Sequence, residues 1–441
     1  MERKIIGVPI VLALCVVCAR SNRAQAQCEP EWLAGAGLAE INGGVRAMTI
    51  WDPDGAGPDP EVLVVGGGFS TAGEVTANYI ACWDGSSWSA LGNGLNGSVY
   101  TLAVQPDGGL VAGGLFTAAA EDSGYPVARW DGVSWSALGS GLSGRVRTLA
   151  VLPNGDLVAG GRWLTDETGD LVGIVRWDGD SWSALTGGID SFVEPVVSAL
   201  AVMPNGDLIA GGDFTTIGEV HFRSIARWDG TAWSALGRGM SSGTVPAQVH
   251  TLMVLPNGNL IAGGKFFSAG GQTCYGIARW DGVAWSALGS GMDTDVFHHN
   301  PVANVYALTV LPNGDVVAGG DFTTAGDAIC NGIARWDGSS WYPLGGGIDD
   351  AYEYVYSLTV LPNGDLIAGG DFTSVDGKAS AHLARWGDPC ADGQSEPPDT
   401  LNHLFCELCG LGSLNATALT LLTLGGMKFG YRQSTRRMNS H

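Results

Sequence analysis

Between residues 32 and 387 the chain alternates apolar and polar residues in short runs, and glycine-rich turns separate the runs. Val305 to Val310 is one such run, and its period of two predicts a strand with one buried face. Pro312-Asn313-Gly314-Asp315 follows, and Asn-Gly between two apolar runs predicts a hairpin turn of type I′, with positive φ at both central residues. Val316 to Phe322 predicts a second strand, and its paired Gly319-Gly320 allows a neighbour to approach closely. After a loop, Ile333-Ala334-Arg335-Trp336 predicts a third strand, Asp337-Gly338 a turn, and Trp341 to Leu344 a fourth strand. The pattern contains no sustained helical period before the C-terminal tail.

The four-strand unit recurs. Trp-Asp-Gly begins at Trp83, Trp130, Trp177, Trp228, Trp280 and Trp336, and a seventh copy at Trp386 reads Trp-Gly-Asp, with spacings of 47 to 56 residues. An isolated four-stranded sheet leaves both faces wet, whereas radial stacking buries both. The fold class expected is therefore all-β: a seven-bladed β-propeller of four-stranded blades. Cys28 to Leu38 resembles the fourth-strand segment that begins at Trp135, and the last unit stops after its third strand at Arg385-Trp386. The N-terminal strand, carrying Trp32, is expected to complete the last blade. Cys28 and Cys390 flank that junction, each four residues from its tryptophan, and are expected to form a disulfide.

These residues also carry a resemblance. Paired glycines closing strand two, an aromatic on strand three and Trp opening strand four resemble kelch-type propellers. Ile-Ala-Arg-Trp-Asp-Gly and Gly-Gly-Asp-Phe-Thr are similar to repeats of a fungal cortical-marker family, and Leu-Pro-Asn-Gly-Asp-Leu-Ile-Ala-Gly-Gly to the bacterial delta-60 repeat. The resemblance implies the fold; propellers host unrelated activities, so it names no function.

The ends differ from the repeats. Arg3 and Lys4, the apolar run Ile5 to Ala19 and Ala24-Gln25-Ala26 read as a secretory signal over residues 1–26. The propeller is expected over 27–390 and a polar linker over 391–409. Residues 410–441 hold an uncharged apolar segment and a basic end, which resemble bacterial sorting tails and imply attachment to a membrane or cell surface. The expected location is secreted, extracellular or cell-surface.

The net charge is −22, and the two termini hold eight of the 22 basic residues. Such an acidic body repels phosphate backbones, so nucleic acid is not expected as a partner. Six arginines share one place on strand three: Arg129, Arg176, Arg227, Arg279, Arg335 and Arg385. They are expected to pair with an acid or stack on tryptophan, and the Asp of Trp-Asp-Gly to accept backbone hydrogen bonds.

Loops between strands one and two, and three and four, are short and uniform. Loops between strands two and three, and between blades, vary, so a ligand site is expected on their face. Candidate ligand-binding residues there are Asp213, Asp321, Asp371, Asp293, Asp349 and Asp350, with Glu353, Asp295, His298 and His299 nearby; Phe192, Tyr352 and Tyr354 are the candidate exposed aromatics. Asp52 to Asp59 has the flavour of a calcium loop but lacks the oxygen spacing of an EF-hand. No metal or cofactor is expected. No His-Glu-x-x-His is present, and neither are the Asp-box of sialidases or the Tyr/His copper set of galactose oxidase. The expectation is a monomeric, non-enzymatic module that binds protein or glycan. The alternatives are an extracellular hydrolase or lyase that uses the loop acids, and a passive envelope component.

Overall fold

The computed structural model describes residues 29–389 except 34–37, 39–40, 56, 118–125, 167, 186–187, 191–194, 244–246, 295–302 and 350–352. Among the described residues every regular element is a β-strand.

Seven first strands surround a central channel: Val45–Trp51, Ser98–Val104, Ser143–Val151, Val196–Val202, Gln248–Val254, Val305–Val310 and Tyr354–Val360. Each packs on the next, and the seventh packs on the first, so the ring is closed. In blade six Val305–Val310, Val316–Gly320, Ile333–Trp336 and Trp341–Pro343 pair in that order from the channel outward. Blade seven takes its outer strand from the other end of the chain: Glu31–Leu33 pairs antiparallel with Leu383–Gly387, with Trp32 opposite Trp386. The closure expected from sequence is present.

The apolar core is not one mass. It is divided into seven layers, one between each pair of adjacent blades. The paired glycines set how closely the wedges approach. A Cβ on Gly319 would stand 2.5 Å from Cγ1 of Val355 in the next blade, and one on Gly369 would stand 2.5 Å from Cγ1 of Val45 across the closing interface. Tryptophans tie the rim. The Trp341 indole donates to the Leu288 carbonyl of the preceding blade at 2.9 Å, and the Trp32 indole repeats this on Leu344 at 2.8 Å.

The strand-three arginines find acids. Arg129, Arg176, Arg227, Arg335 and Arg385 form ion pairs with Asp107, Asp156, Asp207, Asp315 and Asp365, which close the first turn of each blade. Blade five carries Asn259 at that place. The Trp-Asp-Gly aspartates cap their own turns: Asp337 accepts from the Ser339 and Ser340 amides at 2.8 Å each, and these bonds hold its carboxyl down at about 2.

One local expectation is corrected. The Pro-Asn-Gly turns are not type I′. Gly314 has φ +90° and its amide bonds back to the Leu311 carbonyl at 2.8 Å, but Asn313 is not among the residues of positive φ. Proline at the second turn position locks φ negative, which selects a type I turn followed by a left-handed glycine.

Cys28 and Cys390 lie outside the described residues, and so does the whole segment beyond Pro389. Cys82, Cys274 and Cys330 are unbridged thiols.

Candidate functional site

The face expected to carry a site is more ordered than its sequence implied. In blades one, four, five, six and seven the loop after strand two folds into a small hairpin, such as Thr324–Ala325 with Ala328–Ile329. The segment leaving the preceding blade pairs with this hairpin: Met292–Asp293 pairs with Thr324–Ala325. Equivalent pairings join Ile189–Asp190 to Thr216–Ile217 and Met240–Ser241 to Ser268–Ala269. The loops therefore join neighbouring blades.

That architecture occupies several predicted acids. Asp293 is 5% exposed, and its backbone carbonyl accepts from the Thr323 amide at 2.8 Å as part of the inter-blade sheet. Asp349 receives the Gly377 amide at 3.0 Å, and Glu353 receives the Thr373 amide and hydroxyl at 2.8 Å each. Asp321 receives the Asn304 amide at 2.6 Å and its side-chain amide at 2.7 Å. Burial nevertheless pushes the Asp321 carboxyl up, against the pull of those bonds. Asp321, Asp349 and Glu353 do come together, lining a cavity of about 150 Å³ between blades six and seven. Asp213 receives the Gln248 side-chain amide at 3.0 Å, and Asp371 is exposed, 3.5 Å from His382. Asp350, Asp295, His298, His299, Phe192 and Tyr352 lie outside the described residues.

Among the described residues no group of three His, Cys, Asp or Glu side chains is placed to hold a metal ion. In the calcium-like segment the exposed Asp54 accepts the Asp59 amide at 3.1 Å. A cleft of about 530 Å³ opens beside it between blades one and two, lined by Trp51, Asp52, Asp54, Asp107, Arg129 and Asp131 among others.

The feature that the sequence reading missed lies at the channel mouth on the variable face. Every first strand carries a β-bulge near its start, between Val45 and Ala47, Val99 and Thr101, Val146 and Thr148, Val197 and Ala199, Val249 and Thr251, Val305 and Ala307, and Val355 and Ser357. The bulged residues are Arg46, Tyr100, Arg147, Ser198, His250, Tyr306 and Tyr356. A bulge leaves its residue unpaired and re-aims the side chain.

These side chains meet from blade to blade. The Arg46 guanidinium lies 4.7 Å from the Tyr356 ring and 5.8 Å from the Tyr100 ring. Tyr306 lies 5.3 Å from Tyr356 and 5.1 Å from His250, and Tyr354 stacks on Tyr356 at 5.7 Å. Blade three adds Trp163, 42% exposed at a left-handed φ of +54°, with the guanidiniums of Arg162 and Arg145 at 4.1 and 5.6 Å from its ring.

The electrostatics follow from this crowding. Crowding by neighbouring side chains, which strips hydration from part of the guanidinium, and the cations Arg162, Arg145 and Arg46 lower the basicity of Arg147, while Tyr100 acts the other way and a face of Arg147 stays exposed. Burial lowers His250 to about 4, with Arg147 and Lys265 adding to the effect against its bond to Asn304, so the imidazole is neutral at pH 7. Burial pushes the Tyr306 and Tyr356 hydroxyls up, so both remain protonated. The mouth thus offers protonated phenols, flat ring faces and a cluster of guanidiniums.

No protein-family model matches the chain, and no curated protein is similar to it. Solved structures are similar in fold. The extracellular domain of a one-component system from B. thetaiotaomicron matches at 11% identity with a TM-score of 0.52, over 80% of this chain and 39% of that one. The WD40 β-propeller domain of Doa1 matches at 16% identity and TM-score 0.47, over 81% and 97%. Virginiamycin B lyase from Staphylococcus aureus matches at 13% identity and TM-score 0.48, over 81% and 99%. The chain thus spans about two fifths of the first of these proteins and nearly all of the other two. The expectation that the chain is not an enzyme is withdrawn, because a propeller fold alone does not settle enzyme status.

Proposed function

We propose that the chain works outside the cytoplasm as a β-propeller that binds glycan at its variable-face channel mouth. The signal-like residues 1–26 would export it, and the apolar and basic tail over 410–441 would hold it at a surface as a single copy. The kelch-like and delta-60-like repeats supply the ring on which the mouth is mounted. One observation carries the binding reading. Six of the seven bulged positions present an aromatic ring or a cationic or imidazole side chain to the same opening. Most of the repeated Arg and Asp positions are taken up by rim and turn bonds, whereas the seven bulged positions hold three Tyr, two Arg, one His and one Ser. Tyrosine and tryptophan combine an apolar face with a polar edge, which suits the mixed surface of a sugar.

The test is an array of neutral and acidic glycans probed with the full chain. Binding to at least one glycan is expected, weakened by Tyr306→Ala and by Tyr356→Ala but not by Asp131→Asn on the opposite face. Analysis of the bound glycan for shorter products reads turnover in the same experiment. Absence of any glycan binding, or binding indifferent to both tyrosines, would sink the proposal.

A further inference from the structure

The mouth is basic in a chain whose net charge is −22. Outside the two termini the chain holds 14 Lys and Arg residues. Six sit on strand three as rim residues, and five of the remaining eight gather here: Arg46, Arg145, Arg147, Arg162 and Lys265. Arg46, Arg145, Arg147 and Lys265 form no ion pair among the described residues, unlike most rim arginines. Arg147 is exposed, and Arg46, Arg145 and Arg162 are near enough to act on its charge. Guanidiniums crowded on one another favour an anion that relieves their repulsion.

The anion is not a bare polyanion. Three carboxylates border the same opening at the ends of second strands, Asp213, Asp321 and Asp371, and Asp371 is exposed. A polyphosphate or a run of sulfates would meet them with repulsion. A sugar acid brings one carboxylate per ring together with several hydroxyls. Its carboxylate suits the planar fork of an arginine, its hydroxyls can donate to Asp371, and its ring face can lie on tyrosine or Trp163. An acidic peptide brings carboxylates without those hydroxyl donors. The acidic remainder of the body does not forbid this, because at physiological salt charges more than about 8 Å away are largely screened.

We infer that the mouth selects an acidic glycan built of uronate-type sugars, with Arg46 and Arg147 taking the carboxylate and Tyr356 and Trp163 the ring face. This rests on the mouth being the glycan site proposed above.

The test titrates the full chain with a uronate oligosaccharide, its neutral methyl ester and poly-glutamate. The uronate is expected to bind at least ~10-fold tighter than the ester, the scale of a charge-assisted arginine contact. Arg46→Gln and Arg147→Gln should each erase much of that preference and flatten the salt dependence, with an unchanged melting temperature certifying the fold. Equal binding of acid and ester, weakened alike by Tyr356→Ala, overturns the acidic preference and leaves the glycan proposal standing. Poly-glutamate binding as tightly as the uronate overturns it in favour of an acidic peptide. Failure of all three probes, together with an empty glycan array, ends both readings.

Discussion

The indole rings of Trp32 and Trp386, 354 residues apart in the chain, lie 5.4 Å from each other and cross edge to face at 70°. The contact joins the first described strand to the last, and the Trp32 indole also bonds to Leu344 of blade six. Trp32 is 1% exposed. Trp32→Ala is expected to cost about 3–5 kcal/mol, the range for truncating a buried large aromatic. Urea unfolding checks it; a loss below about 1 kcal/mol would show that the ring does not depend on this strand.

Two arginines at the same repeat position should behave differently. Arg385 and Asp365 have side chains 7% and 10% exposed, whereas Arg129 and Asp107 are 36% and 62% exposed. Removing one partner of a buried pair leaves an uncompensated charge and costs about 3–5 kcal/mol. An exposed pair contributes about 0–1 kcal/mol. Arg385→Ala should therefore destabilise strongly and Arg129→Ala barely. Denaturant midpoints for the two variants decide the matter, and equal effects would contradict the burial argument.

His250 gives stability a pH dependence of known sign. Its ordinary value is 6.5 and its value in the fold is about 4. Between these the unfolded chain binds the proton and the folded chain does not, so stability falls as the pH drops through that window and this contribution levels off below about 4. His250→Gln should flatten the slope between those limits. Denaturation at several pH values across the window measures the slope, and imidazole NMR titration reads the site itself; a proton taken up near 6.5 in the native protein would refute the shift.

The Cα register Glu31↔Gly387 bears on the expected disulfide. Cys28 lies three residues before Glu31 and Cys390 three residues after Gly387, equal offsets that suit the expected bridge. Peptide mapping of the unreduced protein should recover a Cys28–Cys390 peptide. Cys28→Ser should then lower stability by up to about 5 kcal/mol, as chain entropy predicts for so long a loop. Recovery of both residues as free thiols from protein exported to an oxidising compartment would rule the bridge out.

Much of the fold was legible because each unit repeats its own instructions. Trp336, Asp337 and Gly338 mark a turn wherever they recur, and Gly319 with Gly320 mark a close approach wherever they recur. The turn type was misread for a local reason: Asn-Gly was weighed without the preceding proline, which forbids positive φ. The surroundings of the candidate acids were not legible, for a tertiary reason. Asp293 and Asp349 look like free loop carboxylates until the segments leaving each blade are seen to dock on the next blade's hairpin.

The sequence alone determined seven four-stranded units and the borrowing of the last strand from the beginning of the chain. Turn chemistry, period-two patterning and a missing strand are all local properties of the chain. Only the tertiary structure decided the mouth. Arg46, Tyr100, Arg147, His250, Tyr306 and Tyr356 hold one repeat position, each after a valine, but as three Tyr, two Arg and one His they carry no common chemistry that marks a site. One bulge per blade and the rotation of the ring bring them within contact, because the inner ends of radially packed strands converge on the axis while their rims diverge.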